Sequence, residues 1–170
     1  MSGDRILVAS ALTREAFAPF GEVLDVGGRD ARPMNGDRAV RHHALAAAEA
    51  SGPDARIILS IAVSKPVAHP VRVTMVERHP LGSQAFMPLG DGTLLVVVCP
   101  DECGEPGRPQ AFVTAPGQGV SYRAGVWHGI LAPIGERQGY LVVDRDGPAI
   151  NLEERFFAEP WTVRMPPSDS

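Results

Sequence analysis

A carboxylate and an imidazole stand two residues apart at Glu77 and His79, in the run Glu77-Arg78-His79-Pro80-Leu81-Gly82-Ser83-Gln84-Ala85-Phe86. Upstream, Val71, Val73 and Met75 occupy alternate positions, the period of a strand with one buried face. Continuing that parity places Glu77 and His79 on the apolar face. Polar groups aimed inward are costly unless each meets a partner, a metal or a substrate. Pro80 ends the strand, and Gln84 and Phe86 resume the alternation on the next one. A second polar cluster lies at 116–128, where Gly117, Gly119 and Gly125 permit tight turns at the ends of a short strand and Trp127-His128 follows.

Glu77, His79 and His128 hold an acid–base inventory. Imidazole titrates near neutral pH, and a buried Glu can be raised toward it. With Gln84 they are also a candidate metal set, in which the neutral amide is the weakest donor. A Glu77–arginine ion pair and histidines satisfied within strands are the structural readings of the same residues. Arg41, Arg78, Arg123 and Arg145 could grip a carboxylate through a bidentate fork. Arg78 has the opposite parity to Glu77, which points to structure or a subunit contact. Tyr122 and Trp127 are expected to wall the pocket. Asp144 and Arg145 are adjacent on a strand, so one faces inward and the other meets solvent.

The elements that must position these groups are short strands. One helix is signalled near the start, with Thr13 as its cap, Leu12 and Phe17 as a hydrophobic staple, and Pro19 and Gly21 closing it. Residues 29–38 read as a loop with a turn at Asn35-Gly36, and 45–51 could hold a second helical turn. Strands are expected at 56–64, 71–79, 83–87, 94–99, 110–114, 119–123, 129–132 and 140–144. Short strands without amphipathic helices between them predict an all-β sandwich or barrel.

The chain has 170 residues, 18 Gly and 16 Pro, with a net charge of −4. That length predicts a single domain over 1–170, with a frayed tail at about 165–170. The charge disfavours nucleic acid and anionic membrane as partners. The start lacks the pattern of a signal peptide, and no apolar run approaches the ~20 residues of a membrane helix. A soluble, cytoplasmic protein is the expectation. Cys99 and Cys103 have no second Cys/His pair nearby and read as reduced thiols, not as a zinc site.

The spacing of the polar clusters resembles that of the cupins, small double-stranded β-helix (jelly-roll) barrels. Glu77-x-His79, four residues and Gln84 fall where cupins carry His-x-His and an acid. Gly117, Arg123, Gly125 and His128 fall where cupins carry Gly, Pro, Gly and His. Longer strings are similar to the ureidoglycolate lyase family: 77–88, Gln-Gly-Val-Ser-Tyr at 118–122, Gly-Val-Trp-His at 125–128 and Val-Asp-Arg at 143–145. So are Asn35-Gly36 with Arg41-His42-His43, and Phe17–Gly21.

The resemblance implies an all-β cupin homodimer with one or two short N-terminal helices. It implies cleavage of (S)-ureidoglycolate to glyoxylate and urea in the breakdown of purines through allantoin, with nickel as the metal. It also favours Arg41 as the clamp on the substrate carboxylate, with Asn35 beside it and Gln84 orienting the substrate. The chain departs from the family at Gly129-Ile130 and at 146–151. Two other readings stay open on the residues: a cupin enzyme for another small hydroxy or amido acid, and a non-catalytic binder of small acids.

Overall fold

The computed structural model describes residues 5–27 and 30–166. Two sheets face each other, and the expected all-β jelly-roll barrel is the architecture observed. The larger sheet runs in the order Ile6–Val8, Glu153–Arg164, Val71–Arg78, Trp127–His128, Thr93–Cys99, Gln110–Val113, Ser10–Ala11, with Ala132–Ile134 also paired to Thr93–Cys99. The smaller runs Gly21–Leu24, Gly119–Tyr122, Gln84–Pro88, Gln138–Asp146, Arg56–Ser64.

Alternation along Thr93–Cys99 explains the layering. Leu94, Val96 and Val98 pack between the sheets with Val23, Val120, Tyr122 and Tyr140, while Phe17 and Phe20 close one side. Leu95 and Val97 pack on the opposite face with Leu7, Val71, Val73 and Val163, and Cys99 packs there with Val76 and Trp127. The helix is a single turn, Arg14–Phe17, and the Thr13 hydroxyl accepts a bond from the Ala16 amide at 3.2 Å.

Several expectations need correction. Residues 45–51 form no helix; the segment is irregular apart from a bridge between Ala50 and Gly82. Most of the expected 29–38 loop is a hairpin, Ala31–Met34 against Ala39–His42, and Arg29 lies outside the described residues. Its tip carries Asn35, Gly36 and Asp37 at φ of 53°, 63° and 64°, a left-handed stretch that Asn, Gly and Asp tolerate best. Residues 129–131, expected as strand, form none between Trp127–His128 and Ala132–Ile134, although the Gly129 amide still donates to the Val97 carbonyl at 2.8 Å. The strand Glu153–Arg164, interrupted by a bulge after Phe156, was not foreseen. Met165, assigned to a frayed tail, packs on the core, and 167–170 lie outside the described residues.

Candidate functional site

The strand Val71–Arg78 does not keep one parity. Val71 and Val73 meet the face of Thr93–Cys99 that carries Leu95 and Val97, yet the next residue on that same face is Val76. The alternation slips by one between them, opposite the bulge in Glu153–Arg164. Glu77 is thereby turned into the barrel, away from the side of Val71 and Val73. It stands across from His128, which is itself opposite Val98. Parity predicted the right destination by the wrong route.

The structure brings Glu77, His79 and His128 together, with one donor atom of each within 4.8 Å of the others. His79 Nδ1 lies 2.8 Å from the Asn151 carbonyl and His128 Nδ1 lies 3.0 Å from the Gly129 carbonyl. A carbonyl only accepts, so each Nδ1 carries a proton; in the neutral ring Nε2 then presents a lone pair, and in the cation Nε2 carries the second, transferable proton. Both Nε2 atoms are buried without a hydrogen-bond partner. His79 Nε2 sits 3.7 Å from Glu77 Oε1, a charge contact longer than a hydrogen bond. The two positions that depart from the family strings, Gly129 and the 146–151 segment, thus supply the carbonyls that hold the two rings.

Electrostatics separates the three groups. The polar contact with His79 holds the Glu77 carboxyl below its usual range, against burial, with help from the His128 charge. Burial opposes the His79 cation, but Glu77, the Asn151 carbonyl and the charge of Asp144 together outweigh it and raise its pKa. Burial dominates at His128 and lowers it to about 4, so this ring is neutral near pH 7.

Tyr122 stacks on His128 as a wall of the site, with ring centroids 4.3 Å apart. Gln84 lies opposite Tyr122 on the neighbouring strand. Its Nε2 donates to Asp144 Oδ2 at 3.4 Å, leaving Gln84 Oε1 and Asp144 Oδ1 buried without partners. Asp144 is therefore the inward member of its pair with Arg145. Sequence reasoning did not choose between them, although Tyr140, Val142 and Asp144 share the alternation that would have done so. Arg145 is itself buried, only 8% exposed, and its Nε donates to the Ser51 carbonyl at 2.7 Å.

Other predicted residues lie elsewhere. Trp127 alternates with His128 and so points out of the barrel, packed with Val76 and Cys99 and donating to Asp101 at 2.9 Å. It does not wall the site. Arg78 spans Glu153 and Asp101 and lies 4.3 Å over the Trp127 ring, a structural role. Arg123 pairs with Glu22 and donates to the Ala18 carbonyl. Asn35 and Arg41 sit on the exposed hairpin, and the structure does not bring them to the three-residue cluster. An apolar cavity of about 330 Å³ lies elsewhere again, between Val71, Val73, Leu95 and Val97.

A divalent ion fits the donor set. Two imidazole lone pairs fixed by carbonyl bonds at the other ring nitrogen, beside one carboxylate, form the arrangement that metal-binding histidines adopt. Gln84 Oε1 is the unpartnered oxygen available as a fourth donor.

Comparison with known proteins places these residues in context. The family model described as "Ureidoglycolate lyase" matches residues 4–164. A ureidoglycolate lyase of Mesorhizobium japonicum is 52% identical over 160 residues, covering 94% of this chain and 98% of that protein. One from Chelativorans sp. is also 52% identical, covering 95% and 98%. Ureidoglycolate lyase 1 of Rhizobium meliloti is 45% identical, covering 98% of each.

Proposed function

The chain belongs to the ureidoglycolate lyase family, and we infer that Glu77, His79 and His128 carry the cleavage of ureidoglycolate to glyoxylate and urea. The protein is an enzyme, a carbon–nitrogen lyase. The observation that carries the site assignment is the pair of Nε2 atoms, each fixed by a carbonyl behind its ring and turned toward one ionised carboxylate.

The substrate carries a hydroxyl and a urea nitrogen on one carbon. Glu77, held ionised, takes the hydroxyl proton. The C–O bond becomes a carbonyl, the C–N electrons pass to nitrogen, and His79 Nε2 supplies the proton that the leaving urea needs. His79 suits this task because its pKa is raised, and positioned proton transfer is worth about 10²–10⁴-fold in rate. Neutral His128 and Gln84 Oε1 orient the substrate, and Tyr122 shields the ring from water.

His79, His128 and Glu77, with Gln84, would hold a divalent ion, and nickel is the one the resemblance implies. A bound ion would supply polarisation of the substrate oxygen. With those donors engaged, Asp144 is the carboxylate left to take the hydroxyl proton and pass it to the leaving urea nitrogen.

A homodimer belongs to the same proposal. Ile57, Leu59, Ile61 and Val63 alternate along an edge strand and are 40%, 71%, 60% and 54% exposed. They continue across the sheet into Leu141, Val143, Ala85 and Met87. An apolar sheet face of this extent is what an isologous contact covers. A cytoplasmic location suits the free thiols Cys99 and Cys103.

The test is to follow glyoxylate and urea from (S)-ureidoglycolate with chelated, nickel-loaded and zinc-loaded protein. Release of both products by at least one form is expected. No product from any form would overturn the reading. Loss of metal retention in His79→Gln and His128→Gln, read by elemental analysis, checks the ligand set.

A further inference from the structure

Glu77 and Asp144 make the site acidic, while the proposed substrate is a carboxylate. Glu77 has His79 at 3.7 Å, and Asp144 accepts from Gln84. Among the described residues no arginine or lysine makes a hydrogen bond or ion pair with Glu77, His79, His128 or Asp144. Arg78 and Arg123 are engaged by Glu153 and Glu22, while Arg145 donates from Nε to the Ser51 carbonyl and its unpartnered Nη2 belongs to a side chain that alternates with Asp144 and so lies on the other face of the strand. A site for an anion with no cation of its own is incomplete, because a planar guanidinium fork is the usual recognition of carboxylate.

The hairpin carries what the site lacks. Arg32, Arg38 and Arg41 are on it, and Arg32 and Arg41 face each other across the two strands. Like charges so placed destabilise the pair until an anion lies between them. Arg32 has Asp30 at 2.9 Å, but among the described residues Arg41 has no hydrogen-bond or ion-pair partner. The hairpin joins neither large sheet, and Met34 and Val40 are 41% and 59% exposed. A two-stranded hairpin is marginal alone, so this arm gains by packing on another surface.

We propose that in the homodimer each copy lays this hairpin on the other, so that the partner's Arg41 binds the substrate carboxylate at the Glu77–His79–His128 site. The occupant is a second copy because the arm, whose Arg32, Arg38 and Arg41 outnumber its Asp30 and Asp37, complements the acidic site, and the apolar sheet face supplies the contact that holds two copies together. This deepens the lyase reading and rests on it.

Complementation between two impaired variants tests the exchange. In Arg41→Ala the KM for ureidoglycolate should rise about 10–100-fold, the loss of a charge-assisted fork, and Arg41→Lys should recover part of it. His128→Gln, or Glu77→Gln if the first does not fold, supplies a parent with an intact arm and a dead site. Mixed dimers of the two parents pair one intact arm with one intact site, so random exchange should restore about a quarter of wild-type activity. No restoration between dimerising parents, or an unchanged KM in Arg41→Ala, would overturn the exchange while leaving the lyase reading in place. A wild-type protein that releases no glyoxylate would overturn both.

Discussion

Tyr122 lies flat on His128, with ring centroids 4.3 Å apart and planes 6° from parallel. The phenol covers one face of a ring whose Nδ1 is fixed by a carbonyl, so His128 keeps one orientation and stays dry. Burial then sets its charge, and the neutral ring follows from the packing.

Replacing Tyr122 separates shape from chemistry. Tyr122→Phe preserves the stacked face and should keep turnover within a few-fold of wild type. Tyr122→Ala opens a cavity in the core around Phe17, Phe86 and Val120 and should cost about 3–5 kcal/mol. Urea unfolding reads the stability, and glyoxylate release reads the activity. A Phe variant as unstable as the Ala variant would contradict the stacking argument.

His128 also predicts how the metal-free protein responds to acid. Its folded pKa of about 4 lies below the ordinary 6.5, so its contribution is fully present above pH 6.5. That contribution falls away as the pH drops toward 4, by about 3 kcal/mol in all. Glu77, also lowered, adds a loss of the same sign below its ordinary range. His79 has the opposite sign, because its raised pKa makes its stabilisation fade as the pH rises through the folded value. Urea midpoints measured from pH 7 to pH 4 with chelator present should fall steeply in wild type. His128→Gln should flatten the curve.

The barrel was legible because its central strands announce themselves. Arg56–Ser64 is predicted to the residue, and Thr93–Cys99 differs by one. Glu153–Arg164 was invisible for a physical reason: it carries Glu153, Glu154 and Arg155 at one end, and Glu159 and Pro160 in the bulge that breaks its period. Glu77, His79 and His128 were found from residue type and spacing, since inward polar groups are rare. Trp127 was misplaced because adjacent strand residues face opposite ways. The carbonyls of Gly129 and Asn151 carry no side-chain signal, so no sequence pattern could have identified what holds the two histidines.

Asp144 contributes to the raised pKa of His79 through its charge. Asp144→Asn keeps the size and the hydrogen-bonding contact with Gln84 while removing that charge. Titration of the His79 ring by NMR in metal-free protein should move to lower pH, with the His128 ring still neutral at pH 7. Activity should fall, since less His79 is protonated at the working pH. An unmoved His79 titration would remove Asp144 from the site's electrostatics.

The apolar sheet face yields a prediction that needs no substrate. Leu59 is 71% exposed and pairs with Val143 inside the patch. Leu59→Lys places a charge where the second copy is proposed to pack, and burying an unpaired charge there costs far more than losing one apolar contact. Light scattering should therefore report half the wild-type mass. The side chain projects from the monomer, so the isolated fold should change by about 0.5 kcal/mol or less. If the arm exchange holds, the monomer should also show the raised KM of Arg41→Ala, because its site has lost the arm that completes it. A Leu59→Lys protein that stays dimeric would place the interface on another face of the barrel.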